Sequence, residues 1–300
     1  MRLWAPSAVG SDIPRSAGQY VARKMGSLIV FLLGLNRGGF LATEIVQQIY
    51  PVIAIPTKFG DLRCRGGHGR LRWRALTFYR EEPETIQWLE CMKPGDVFWD
   101  IGANVGLYSI YAAKAAKCKV LAVEPEAQNY ALCLENIVLN EMQEFVEAAN
   151  FAIASRLGIG KLRIPAVTKG GAYNQFAIEL DGPGSLKNGR GSGPISQTSI
   201  GVSLDDLVDK FCFEYPTYIK LDVDGNEPEI ISGAIRVLNH ERCKSLLVEV
   251  DQSDPRHGAM LEQLRGLGYK CISERSNWES RPRREREEVH PNTNMIFSRI

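Results

Sequence analysis

The 300-residue chain carries 36 basic and 35 acidic side chains, a formal net charge of +1, with 44% hydrophobic and 24% charged residues. This composition excludes low-complexity disorder, collagen and coiled coil, and it supplies enough apolar material for a full core. So near a balance gives no broad basic field for wrapping nucleic acid, and no nucleic-acid partner is expected.

Residues 1–80 show no clean period and read as an N-terminal extension: a cap, extra strands or an oligomerisation element, with a homo-oligomer as one outcome. Their apolar run Leu28–Leu35 follows Arg23 and Lys24 but is far short of the ~20 residues of a membrane span. Asn36-Arg37-Gly38-Gly39 stands where a leader would carry small cleavage-site residues, so the run is expected to be a buried element and the location cytoplasmic. Seven dispersed cysteines, without C-x-x-C pairs or ligand-spaced histidines, fit a reducing compartment and small buried side chains, not disulfides or zinc.

From residue 83 the elements become legible. Pro83 opens a short helix, because its missing N–H would have no partner in a first turn. Lys93-Pro94-Gly95-Asp96 is a turn, and Val97-Phe98-Trp99-Asp100 a buried strand. A glycine-containing loop leads into a helix over 107–117; a strand follows at 119–123, a helix at 127–139 and a strand at 145–153. Residues 158–164 read as a hairpin arm. The seven glycines and three prolines of 165–200 read as a long loop or lid. Ser203-Leu204-Asp205-Asp206 caps a short helix, followed by a strand at 218–223, a helix at 228–238, a strand at 245–250, a helix at 259–267 and strands at 269–273 and 294–298. The mixed-charge stretch 281–288 between the last two strands reads as a solvated loop. Alternation of this kind makes a parallel sheet covered on both faces, a three-layer α/β domain over 81–300.

Ligands of such sheets sit outside the carboxyl ends of the strands. Here those ends carry Asp100-Ile101-Gly102-Ala103-Asn104-Val105-Gly106, then Glu124-Pro125, then Asp222-Val223-Asp224-Gly225, then Glu249 and Asp251. Four acidic tips at one rim are hard to explain by stability, since buried carboxylates need partners. A nicotinamide fingerprint would read G-x-G-x-x-G and receive a pyrophosphate. Instead Asn104 takes the middle place and Asp100 precedes the first glycine, where a carboxylate would repel pyrophosphate but attract the ammonium and sulfonium of S-adenosylmethionine. Glu124, 22 residues after Gly102, suits a ribose diol in either cofactor. An NAD-type oxidoreductase and a non-catalytic cofactor-binding protein therefore remain the alternatives.

The successive motifs Asp100–Gly106, Val123-Glu124-Pro125, Ser203–Leu207 and Ile219–Glu227, with Glu82–Thr85 before them and Asn294–Arg299 after, resemble those of FkbM-type S-adenosylmethionine-dependent methyltransferases. The resemblance implies a class I methyltransferase (Rossmann-like) fold, a seven-stranded sheet whose last strand is antiparallel, and O-methylation of a small-molecule or sugar hydroxyl. Asp224 stands where the family frequently has Glu.

The roles expected on this reading are as follows. Asp100, Gly102, Asn104 and Gly106 hold the methionine end of the cofactor, Glu124 the ribose diol, and Asn150 the adenine amine, while Glu84 and Thr85 close over it. Asp222 lies nearest the transferred methyl and takes the acceptor's proton, helped if burial raises its pKa, with Glu227 or Glu249 sharing that role. Asp222, Asp224 and Glu249 could instead gather Mg²⁺, which is not favoured. His68, His240, His257 and His290 are expected in loops or surface helices, none of them a base.

Overall fold

The computed structural model describes residues 51–66, 69–166, 169–178, 195–276 and 292–299, together with residues 24, 25, 28, 31, 40 and 41. Two compact units divide at Pro51 and Val52, so that residues 52–80 belong with the larger one. In the smaller unit Leu28 and Phe31 are helical and exposed, against the expectation of a buried run; the rest of 28–35 lies outside the described residues, as do 179–194 and 281–288.

The larger unit opens with a hairpin, β1 (Val52–Ile55) and β2 (Leu62–Arg65), and two helices, α1 (Gly69–Glu81) and α2 (Pro83–Leu89). The strand–helix alternation follows: β3 (Val97–Ile101), α3 (Leu107–Ala116), β4 (Lys119–Val123), α4 (Ala127–Leu139) and β5 (Val146–Ala149). After an excursion come α5 (Leu204–Asp209), β10 (Tyr218–Leu221), α6 (Glu227–Ser232), α7 (Ile235–Asn239), β11 (Ser245–Asp251), α8 (Pro255–Gly266), β12 (Lys270–Ser276) and β13 (Asn292–Ser298). Seven strands form one sheet in the order β12-β13-β11-β10-β3-β4-β5. The five central and right-hand strands run parallel, and β13 runs antiparallel to both neighbours. This is the class I methyltransferase, Rossmann-like arrangement.

The excursion differs from the expected loop. The strand expected over 145–153 breaks after Ala149, and β6 (Ala152–Ile153), β7 (Gly158–Ile164), β8 (Gln175–Ile178) and β9 (Ile195–Val202) build a second, four-stranded sheet in the order β6-β9-β7-β8. The helix expected over 228–238 is also two: α6 ends at Ser232 with Gly233 as its cap, and Asp205 accepts hydrogen bonds from the backbone N–H groups of Arg236 and Val237 to start α7.

Register sorts the side chains of the main sheet. Successive residues of a strand point to opposite faces. Trp99, Ile101, Ile219, Leu221, Leu246 and Val248 share one face and form the main core with α5 to α8. On the other face Trp88 of α2 sits edge-on to Phe98 and Tyr218 and donates from its indole N–H to Ser245 Oγ at 2.9 Å. That second face carries Asp100 opposite Lys220, and Glu249 opposite Asn294. The hairpin β1–β2 docks on α4 through Asn136 and Asn140, whose side-chain oxygens accept from the N–H groups of Arg65 and Arg63.

Cys64, Cys118, Cys133 and Cys243 are buried as expected, but Cys91, Cys212 and Cys271 are exposed. Among the described residues no helix is long and apolar enough to cross a membrane.

Candidate active site

The first corner of the site is the turn after β3. Gly102 (φ +83°), Asn104 (φ 52°) and Gly106 (φ 79°) all occupy the left-handed region, which bends the chain sharply into α3. Gly102 is required for a second reason: a Cβ there would stand 2.0 Å from the Asp222 carbonyl oxygen, so a hydrogen is what lets the tips of β3 and β10 meet. Asp100 is buried at the end of β3, with Oδ2 accepting from Ser109 Oγ, while Oδ1 has no hydrogen-bond partner. Burial pushes its carboxyl up, partly opposed by the Lys220 ammonium and the Ser109 hydroxyl. Asn104 donates to the Gly171 carbonyl at 2.7 Å, and its own Oδ1 is buried without a partner.

Glu124 forms the second corner. Its oxygens accept from the backbone N–H groups of Asn104 (2.8 Å) and Glu126 (2.9 Å), linking the tips of β3 and β4. Burial outweighs those two donors and lifts its carboxyl to about 7. Asn150 donates its amide to the Glu124 and Pro125 carbonyls, so it braces this corner and keeps only its Oδ1 as an acceptor for anything bound there.

At the third corner Lys220, buried in the middle of the sheet, reaches Asp222 Oδ2 at 2.6 Å. Burial alone would lift Asp222, as the sequence suggested. The Lys220 charge and hydrogen bond, with Arg74 nearby, more than reverse this and hold it below the usual carboxylate range. Glu82 and Asp100 also feel the same ammonium, and Tyr108 lies with its ring 5.2 Å from Lys220 Nζ. Glu82 and Lys220 stand inside the quoted motifs without an expected role, and none at the site is expected of Tyr108 and Arg74. One signal for Lys220 was available: Lys220 and Asp222, two apart on a strand, must share a face.

Thr85 and Glu84 serve the same corner from within. Thr85 is buried and donates to Glu82 Oε2 at 2.9 Å, and Glu84 Oε1 receives Asn294 Nδ2 at 3.5 Å.

Glu249 stands beside Asp222, one step beyond the paired Leu221 and Val248. Burial, then the charges of Asp222, Glu227 and Asp224, raises it well above the ordinary range. Glu227 is completely buried at the start of α6, with Oε1 accepting from Val223 N at 3.0 Å and Oε2 3.9 Å from His257 Nε2. Burial pushes it up to about 8. That bond to Val223 ties it to the turn that carries Asp222. His257 is likewise buried, contrary to the expected surface position, and His240 stacks on Tyr215; His68 and His290 lie outside the described residues. Among the described residues no group of three or more His, Cys, Asp or Glu side chains is disposed to hold a metal ion.

A strap of residues 169–175 crosses the rim. Gly170 N donates to Asn129 Oδ1, the Gly171 carbonyl accepts from Asn104 and Asn129, and Tyr173 N donates to Asp224 Oδ2 at 2.6 Å. Arg74 Nε adds a bond to the Gly170 carbonyl at 3.2 Å. Beside it a small, mainly apolar cleft opens between Gly102, Val123, Pro125, Ile153, Phe176 and Val223.

The family profile described as the methyltransferase FkbM domain matches residues 100–271, more than half of the chain. The chain is 24% identical over 201 residues to the 31-O-demethyl-FK506 methyltransferase FkbM of Streptomyces tacrolimicus, covering 61% of this chain and 76% of that protein. It is 23% identical over 185 residues to the hexuronic acid methyltransferase AglP of Haloferax volcanii, covering 61% and 68%. Among solved structures, the methyltransferase FkbM of Methylobacillus flagellatus KT aligns with a TM-score of 0.40 at 15% identity, over 76% of this chain and 53% of that one.

Proposed function

The chain belongs to the methyltransferase FkbM family, and from that premise we propose that it moves a methyl group from S-adenosylmethionine to a hydroxyl of a small molecule or sugar. The donor set fits that cofactor. An unpartnered carboxylate oxygen on Asp100 and an unpartnered amide oxygen on Asn104 are acceptors suited to an ammonium group. A pyrophosphate would meet repulsion at the same place, which removes the support for a nicotinamide enzyme. Gly102, Asn104 and Gly106 would hold the amino-acid end, Glu124 the ribose diol, and Asn150 Oδ1 the adenine amine beside the apolar cleft. When bound, the cofactor supplies an electrophilic methyl on a sulfonium.

The protein's own work is then to position the acceptor and receive its proton. The observation that carries this reading is the pairing of Lys220 with Asp222. It holds the Asp222 carboxyl below the usual range at the rim, while burial and the surrounding acids push its neighbour Glu249 well above it. Two adjacent acids with values pushed apart can divide roles, one accepting a proton and the other donating a hydrogen bond. Asp222 needs no raised pKa for this. An alcohol oxygen turns strongly acidic as its bond to carbon forms, so an ordinary carboxylate is a competent acceptor. Glu249 orients the acceptor, and Glu227 positions the Asp222 turn. The strap, tied to Asn104 and Asp224, closes the rim around the reactants.

Calorimetric titration with S-adenosylmethionine tests the cofactor assignment: wild type binds and Glu124→Ala does not. Absence of binding, or equal binding by both proteins, overturns it. Extracts supplied with isotopically labelled methyl donor, read by mass spectrometry, then identify the acceptor. Binding without transfer to any component would mark a non-catalytic protein.

A further inference from the structure

The near-zero net charge is the sum of two opposite regions. Residues 1–80 hold 12 basic and 3 acidic side chains, whereas residues 81–300 hold 24 and 32. A division this strong is a signature of attraction to an anionic partner surface. Within the described residues it is concentrated on α1, which carries Arg70, Arg72, Arg74 and Arg80 and no acid before its last residue, Glu81.

We propose that the outer face of α1 docks the protein on an anionic membrane surface. The buried side of the helix is Leu71, Ala75 and Phe78, and Arg74 is turned inward to the Gly170 carbonyl. What remains outside is unusual for a soluble helix: Leu76 is 67% exposed, Trp73 42% and Tyr79 41%. At 100° per residue, Tyr79, Arg72, Leu76, Arg80 and Trp73 fall within an arc of about 120°. An aliphatic centre, flanking Trp and Tyr, and guanidinium groups beside them match the layers of a bilayer interface: acyl chains, headgroup boundary and lipid phosphate.

A nucleic acid would engage the arginines and the rings, but Leu76 offers it nothing. The smaller unit, taken by itself, repeats the chemistry. Met25, Leu28 and Phe31 are helical, exposed and three residues apart, next to Arg23 and Lys24 in the sequence.

Flotation of the full-length protein with vesicles of phosphatidylcholine alone, or mixed with phosphatidylglycerol, tests the proposal. Wild type floats with the anionic vesicles, stays behind with the neutral ones and is released by high salt. Replacing Arg72 and Arg80 together by Gln lowers the partition coefficient roughly 30-fold, at about fivefold per basic residue. Leu76→Gln lowers it several-fold, and neither variant shifts the thermal midpoint, since all three side chains lie outside the core.

Failure of wild type to distinguish the two vesicles, or retention of binding by both variants, overturns the assignment to α1. Should Leu76→Gln bind like wild type while a single-stranded oligonucleotide displaces the vesicles, the face serves nucleic acid and the membrane assignment falls. None of these readouts depends on methyl transfer, so the outcome is separable from the proposed activity.

Discussion

Lys220 Nζ and Asp222 Oδ2 stand 2.6 Å apart at the end of β10, the lysine buried in the sheet and the aspartate one-third exposed at the rim. The ammonium faces Asp222, Glu82 and Asp100 together, so it neutralises a corner that would otherwise repel itself. Lys220→Met keeps the length of the side chain and removes the charge. Breaking one side of a fully buried pair typically costs about 3–5 kcal/mol, but with Asp222 one-third exposed water screens the carboxylate left behind, and about 1–3 kcal/mol is expected. Chemical denaturation is expected to show a loss of that order, and Asp222 is expected to titrate at higher pH. An unchanged denaturation midpoint would mean the lysine is replaceable, and an unmoved Asp222 would mean that the ammonium is not what holds that carboxyl low.

Glu124, lifted by burial to about 7, predicts a pH-dependent cofactor affinity. The ionised form is the one that accepts two ribose hydroxyls, so affinity rises as pH climbs through that value and falls about tenfold per unit below it. Calorimetry one pH unit either side of 7, in buffers of different ionisation enthalpy, should also detect proton release on binding. Flat affinity with no proton release counts against Glu124 as the ribose ligand.

The buried acids also shape stability. Asp224 is raised by burial and by Asp222 to about 7, and Glu227 is raised by burial to about 8. Both bind protons more tightly folded than unfolded. Their contribution is therefore full below the ordinary carboxylate range and is lost as pH rises through about 7 and 8. Asp222 acts in the opposite sense, since its lowered value gives stability that disappears only in acid. The unliganded protein should thus melt at progressively lower temperature from mildly acidic to mildly alkaline pH. Glu227→Gln should flatten the alkaline limb, with an effect of a few kcal/mol at most. A melting curve that rises over this window contradicts the burial argument.

Much of this site was legible because short apolar runs bounded by turn chemistry mark parallel strands, and β4 and α4 occur with the bounds the sequence suggested. The second sheet was not. In β9 the inward positions are Ile195, Gln197 and Ser199, whereas Ile200 faces out, so no apolar alternation advertises the strand. The break between α6 and α7 depends on Asp205, some thirty residues earlier, and Glu82 joins Lys220 through helix packing. Both relationships are set by tertiary placement, which local pattern does not carry.

Gly102→Ala is expected to damage stability and site together. The added Cβ would meet the Asp222 carbonyl at 2.0 Å, and φ +83° is strained for any L side chain. Clash and strain together should cost a few kcal/mol and push the β10 tip away from β3. The thermal midpoint should drop and cofactor binding weaken in the same variant. Gly95→Ala is the control, because it has a similar φ of +92° but open space around it. It should lose the strain component alone. Equal losses in the two variants would show that the close approach of the strand tips matters little.

The strap offers a local test of closure. Asn129 projects from α4 and binds it twice, accepting from Gly170 N at 2.8 Å and donating to the Gly171 carbonyl at 3.2 Å. Each such bond contributes about 0.5–1.5 kcal/mol. Asn129→Ala should therefore speed amide exchange across residues 170–173 by one to two orders of magnitude, roughly the Boltzmann factor of two lost bonds. Protection in β3 and β10 should stay unchanged, because neither strand bonds to Asn129. If the strap closes on the reactants, cofactor should also leave the variant faster while its association rate stays the same. Were exchange instead accelerated evenly through the domain, Asn129 would be a general packing residue, and the strap could not be treated as an independently opening element.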